Sequence, residues 1–366
     1  MVKLNSKTIK TKSMKNIYKY LLTIILIGLL VIPVNNLFAG NKDRSGQAGA
    51  YELLINPWAR SAGWGGVNIS NSRGLESIYS NVAGLAFTKK TELVFSSTQW
   101  LQNSDIKISS FGFSQRLGES GVLAVAIVSL NMGDIEITKV GLPEGGIGTY
   151  NPNFMNINIA YSKAFSNSIY AGINLKIISE SISDISAQGV AIDAGIQYLT
   201  GERENIKFGI TLKNVGPTLS FNGDGMSFRA IIPGDDHNKF TVEQRSEDFE
   251  LPTQLNIGAA YDFLWGENQR FTVAGNFASN AFSKDQFIFG CEYSLKEYLL
   301  LRAGYTYEEG ITEKKNRTTW FTGPSAGFSI QVPLNKEKGS LFSVDYSFRA
   351  TDPYTGIHSI GAMISF

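Results

Sequence analysis

The sequence predicts an all-β protein: a 14-stranded antiparallel transmembrane β-barrel over residues 91–366, preceded by a segment that alternates poorly. Three observations carry that expectation. From about residue 91 apolar and polar residues alternate in segments of mostly nine to thirteen residues, longer than ordinary soluble strands and matched to the 9–11 residues that cross a bilayer. Fourteen such segments can be counted, an even number as single-chain bacterial barrels require. The connections between them tend to alternate, long then short.

The chain of 366 residues is 43% apolar, 12% aromatic and 18% charged, with 37 glycines and 10 prolines. Its one cysteine, Cys291, excludes an intramolecular disulfide framework, and its two histidines argue against a Cys/His zinc site. Six lysines precede the apolar run LLTIILIGLLVI (21–32), and Ala39 ends a plausible cleavage site. A basic start, a short apolar core and a small-residue exit describe a secretory signal peptide over residues 1–39. The run falls short of the ~20 residues that span a membrane as a helix. Without residues 1–39 the chain holds 27 basic and 32 acidic side chains, net −5, so no nucleic-acid partner is expected.

The expected strands lie near 91–101, 106–117, 121–133, 154–165, 168–179, 187–199, 206–214, 252–263, 271–280, 286–295, 298–308, 318–332, 340–350 and 356–366. In 154–165, Met155, Ile157, Ile159 and Tyr161 share one face while Asn156, Asn158, Ala160 and Ser162 share the other. The even connections include 118–120, Ser166–Asn167, 200–205 and Lys296–Glu297 and are short. The odd set includes 134–153, 180–186, 215–251 and 309–317, although 102–105 and 351–355 are short. In hydrocarbon an unpaired backbone N–H or C=O costs several kcal/mol, so the sheet must close and HSIGAMISF (358–366) must pair with the first strand. A secreted β-sandwich also alternates, but strand length, even count and loop asymmetry together favour the barrel over residues 91–366.

Residues 40–90 alternate poorly and are rich in small side chains. ARSAGWGG (59–66) with SNVAGLAF (80–87) resembles the N-terminal signature of the PorV/PorQ family, within the FadL-like group of outer-membrane barrels. Ala59-Arg60, Gly63 and Gly65-Gly66 match that pattern, as do Asn81, Ala83, Gly84 and Leu85; Trp64 stands where Met is common and Val82 replaces a proline. The resemblance implies a plug packed inside the barrel, with Arg60, Gly63, Gly65, Gly66, Asn81, Ala83 and Gly84 as its plug or gate residues. A fourteen-stranded barrel is too wide for its own side chains to fill, so polypeptide there makes physical sense. Arg60 is expected to neutralise an inward acid such as Asp262 or Glu292.

The resemblance implies a non-enzymatic component of the type IX secretion system in the Gram-negative outer membrane. Its partners would be the translocon, sortase-like attachment proteins, exported cargo bearing a C-terminal sorting domain, and outer-membrane lipid. Loop 215–251 carries Phe221, Phe228, Phe240 and Phe249 among charges, a composition suited to protein contact. The alternative is a FadL-like channel for hydrophobic small molecules, which needs an apolar pocket near the outer loops and an opening or kinked strand in the wall. A hydrolase is a distant third: GPSAG (323–327) fits G-x-S-x-G with Asp352 and His358 following, but an alternating run rather than a helix comes next. The oxygen-rich stretches 222–228 and 234–239 lack calcium-loop spacing and read as solvated loop, His237 included. No cofactor is expected.

Overall fold

The computed structural model describes residues 40, 42–102, 104–231, 238–266, 268–335 and 339–366. The leader expected over 1–39 and His237 lie outside them. Eighteen strands follow two short helices, α1 (Ala59–Ala62) and α2 (Ser77–Ser80). They are β1 (Thr91–Gln99), β2 (Lys107–Leu117), β3 (Gly121–Asn131), β4 (Ile135–Glu136), β5 (Thr149–Tyr150), β6 (Asn153–Ala164), β7 (Ile169–Ile182), β8 (Ile185–Thr200) and β9 (Ile206–Val215). Then come β10 (Ser227–Ile231), β11 (Lys239–Glu243), β12 (Gln254–Trp265), β13 (Gln269–Asn280), β14 (Gln286–Leu295), β15 (Leu299–Glu308), β16 (Phe321–Asn335), β17 (Ser340–Thr351) and β18 (Ile357–Ser365).

Among the described residues fourteen strands form one closed antiparallel barrel; β4–β5 and β10–β11 are separate two-stranded hairpins within long connections. Closure runs through β1 and β18, in register from Glu92 opposite Ser365 to Gln99 opposite His358. The Phe366 amide donates to the Thr91 carbonyl at 2.9 Å, so the last residue is held in the ladder. Each of the fourteen barrel strands matches an expected segment to within a few residues.

The two faces separate as the alternation requires. Phe95, Phe111, Ile127, Ile173, Ile210, Phe289 and Ile360 are exposed on the outer face, while Ser96, Ser110, Asn158, Ser162, Asn174, Thr272 and Asp345 are buried on the inner one. An apolar band around the whole circumference is stable against lipid and costly against water. One connection differs from expectation. The fifth, read as the long loop 180–186, is the two-residue turn Ser183–Asp184, because β7 and β8 pair out to Ile182 opposite Ile185. Ser183 accommodates the tight reversal with φ of 51°.

Residues 58–85 lie against the inner wall. Trp58, Leu75, Ile78, Val82 and Leu85 form one core with Val94, Val122, Ala124, Ala126 and Met363 of the strands. Trp64 and Val67 form another with Ala260, Ala274 and Ile288. The hydrophobic core is therefore inside the barrel, between this segment and the wall. Burying each of its large side chains stabilises by about 1.5–3 kcal/mol.

Candidate functional site

On α1, Arg60 donates through Nε to Asp345 Oδ1 at 3.1 Å and through Nη2 to Ser343 Oγ at 2.9 Å. This corrects the expected pairing. Asp262 is taken by Lys207 Nζ at 2.5 Å, and Glu292 by Arg302 at 2.6 Å and Arg270 at 2.9 Å. Asp345, Asp262 and Glu292 all face inward, so alternation alone left the choice open; the angular position of α1, beside β16 and β17, decides it. Arg302 also donates to Ser329 Oγ at 2.6 Å, and Ser329 to Asp345, so the Arg60 pair continues into one inward charge network.

The other signature residues shape the backbone. A Cβ on Gly63 would lie 3.0 Å from the Gly327 Cα of β16, so the segment meets the wall glycine to glycine. Gly65 and Gly66 have φ of 72° and 86°, the left-handed region that glycine alone enters without cost. Asn81 caps the 3₁₀ turn Val82–Phe87, accepting from Ala83 N at 3.1 Å. Its Nδ2 donates to the Ile69 and Ile196 carbonyls at 2.9 and 3.0 Å. With that cap the turn forms without the proline that Val82 replaces. The Ala83 carbonyl accepts from Ser162 Oγ at 3.0 Å, and Gly84 has no room for a side chain beside Ser72 and Ser77.

Sequence reading missed the other half of this contact. Inward glycines of the wall meet the segment around the circumference: Gly112 at Leu75, Gly172 at Val82, Gly195 at Asn81, Gly209 at Ile69, Gly290 at Val67 and Gly304 at Trp64. Each falls on the polar phase of its strand, which is the signal that marks it.

The loop aromatics divide into two pairs. Phe221 and Phe249 are half-buried with ring centroids 5.6 Å apart. Phe249 packs against a core of Leu53, Ile178, Leu219 and Leu251. They anchor the loop to the barrel top, where Leu219 and Phe249 exchange backbone hydrogen bonds at 2.9 and 2.8 Å. Phe228 and Phe240 are exposed on the β10–β11 hairpin. There the register places Phe228 opposite Val242 and Ala230 opposite Phe240 on one apolar face.

A cavity of about 1100 Å³ opens at the end of the barrel that carries the long connections. Its lining mixes apolar Trp100, Leu101, Ile106, Leu130, Phe154 and Phe321 with polar Glu52, Glu180, Gln254, Gln286, Glu308, Arg317, Arg349 and Asp352. Arg349 ends the inward row Ser343, Asp345, Ser347 of β17, and its guanidinium lies 3.8 Å from the Phe321 ring centroid. The connection 309–320 is fastened across this end by Arg317 and Lys314, each 3.1 Å from Asp352. Burial, reinforced by the neighbouring Glu180 carboxyl, pushes the Glu52 carboxyl up to about 8. Deeper in the segment, burial pushes Glu76 up to about 7 against the pull of Arg60. No chemistry-bearing triad forms. Ser325 sits within β16, Asp352 pairs with Lys314 and Arg317, and His358 Nδ1 is 2.8 Å from the Tyr346 hydroxyl.

The fold resembles that of solved channels and transporters of low sequence identity. The CymD monoaromatic hydrocarbon channel aligns with a TM-score of 0.54 and 13% identity over 86% of this chain and 98% of that one. The Pseudomonas putida toluene transporter TodX aligns at 0.53 and 14% over 85% and 98%. The Ralstonia pickettii toluene transporter TbuX aligns at 0.51 and 10% over 85% and 97%. No curated protein matches the chain. The family model of the type IX secretion system protein PorV matches residues 39–282, from the signature segment through the end of β13. The chain, a closed fourteen-stranded barrel that carries that signature against its inner wall, belongs to the PorV family.

Proposed function

We propose that this outer-membrane barrel binds exported proteins at its outer face and hands them from the type IX translocon to sortase-like attachment proteins. Cargo would be recognised through its C-terminal sorting domain, with the cavity rim and the exposed face of β10–β11 as the contact surface. In this reading residues 1–39 are a cleaved leader and 40–90 are a plug. Binding is the whole of the mechanism, without catalysis or cofactor. The observation that supports it best is the occupation of the bore: residues between 63 and 82 meet β2, β7, β8, β9, β14, β15 and β16 at inward glycines. A barrel so occupied offers its outer surface rather than a passage. Removing 227–243, which leaves every barrel strand intact, is expected to abolish co-purification of translocon and attachment proteins and to empty the secreted proteome. Normal secretion after that deletion would remove the hairpin from the contact surface; normal secretion after deleting the gene would remove the reading itself.

One observation favours a second reading, a channel for hydrophobic small molecules. The cavity lining includes Trp100, Leu101, Ile106, Leu130, Phe154 and Phe321, and at Phe321 the β16–β17 ladder breaks register before Ser325, where Pro324 supplies no N–H. The inward wall below is polar. Loss of fatty-acid uptake with intact secretion in the deletion strain would favour this reading.

A further inference from the structure

Residues 40–51 are held at the cavity end of the barrel by contacts with two connections. The Gly49 amide donates to the Glu250 carbonyl at 3.0 Å, and the Arg44 guanidinium lies 4.2 Å from the Phe282 ring centroid. Tyr51 Oη donates to the Phe282 carbonyl at 3.4 Å. The segment leaves the bore at the opposite end, where Arg116 Nε donates to the Thr88 carbonyl at 2.9 Å just before β1 begins. Its first described residue, Gly40, donates from its backbone nitrogen to Asp285 Oδ2 at 2.6 Å. Asp285 is buried, and its other oxygen accepts from Asn280 N at 3.3 Å. The space admits glycine alone, since a Cβ at position 40 would lie 2.6 Å from Asp285 N and 2.8 Å from the Ser283 carbonyl.

We propose that this pocket receives the N-terminal ammonium created when the leader is removed between Ala39 and Gly40, and that Asp285 is its carboxylate partner. The inference rests on the reading of residues 1–39 as a cleaved leader but is independent of the secretion role. In the cleavage water adds across the peptide bond and the C–N bond breaks. Ala39 keeps the carboxylate, and the Gly40 nitrogen takes up protons to become an ammonium. One neutral N–H donor becomes a cation with three, and a charge-assisted bond to a buried carboxylate is the stronger kind. Topology points the same way. If the cavity end faces outward, as the long connections imply, an uncleaved leader would have to be carried through the barrel with Gly40. Ser283 and Phe282 line the cavity, so capture of the new amine also sets one of its walls.

The test uses the full-length protein extracted from outer membranes. Its intact mass is expected to correspond to a chain beginning at Gly40; any other first residue overturns the proposal. Native protein in detergent is then treated with an amine-reactive ester at neutral pH, and modification of the α-amine is followed by mass spectrometry. The native wild-type amine is expected to react at least ~10-fold more slowly than in Asp285→Asn or in heat-denatured wild type. Equal rates in native wild type and Asp285→Asn overturn the assignment. Where Asp285→Asn does not assemble, the native-to-denatured ratio of the wild type decides, and a ratio near one overturns it. The secreted proteome, read separately, bears on the secretion role and not on this result.

Discussion

Arg60 joins the N-terminal segment to the wall by a single ion pair whose acid, Asp345, is almost fully buried. Removing one member of such a pair leaves the other uncompensated, which costs more than the pair contributes. Asp345→Ala is therefore expected to destabilise the folded barrel by about 3 kcal/mol. The double variant Arg60→Leu with Asp345→Leu should lose less than that, as measured by the urea midpoint of the detergent-solubilised protein. A smaller loss in the single variant than in the double would contradict the ion-pair account. Glu52 and Glu76 lie on the segment, off the spanning strands, and their raised values set a pH dependence of definite sign. Below about pH 4.5, the ordinary value, both are protonated whether the chain is folded or not. Above it the unfolded chain ionises while the folded one holds its protons, so stability declines up to about pH 7 for Glu76 and about 8 for Glu52. The thermal midpoint should be lower at pH 8 than at pH 5, and Glu52→Gln should flatten the upper part of that slope. An unchanged slope would mean that Glu52 ionises normally in the folded protein.

At the scale of elements, the segment and the strands fit because both surrender side chains where they touch. Gly304 of β15 has the Trp64 carbonyl directly over the position a Cβ would occupy, and Gly209 of β9 has Ile69 there. Gly304→Val therefore forces backbone apart rather than a flexible side chain. The expected outcome is a barrel that still shows heat-modifiable migration on a gel but lets small dyes leak from reconstituted vesicles. Tight vesicles would argue that residues 63–66 are not part of the seal. The long connection follows a related logic. Its two ends are pinned by Phe221 and Phe249, while β10–β11 projects Phe228 and Phe240 to solvent. Composition marked all four aromatics alike, but burial sorts them into two half-buried anchors and two solvent-exposed rings.

Over the whole molecule the decisive property is inversion: apolar outside, polar and polypeptide-filled inside. Phe289 is mid-strand on the outer face of β14 and 58% exposed. Phe289→Arg near the bilayer midplane is expected to destabilise by about 2–4 kcal/mol in lipid. Ser294, on the same strand but buried inward, should tolerate Thr with far less loss. Similar losses at the two sites, measured by refolding into lipid vesicles, would contradict the assignment of faces.

The strands and their faces could be read from the chain because each depends on a local, two-residue period that lipid outside and a polar interior impose along every strand. Met155 to Tyr161 needed only their own sequence to be oriented. The signature at 59–66 and 80–87 likewise announced a segment apart from the barrel. What tertiary structure decided are relations between distant residues: Asp345 rather than Asp262 or Glu292 for Arg60, the wall glycines for the segment's backbone, the turn at Ser183–Asp184, and the cavity joining Glu52 to Arg349. Alternation tells an inward residue from an outward one. It carries no information on which of fourteen inward rows a threaded segment will face, because that is fixed only when the ring closes and the segment packs inside it.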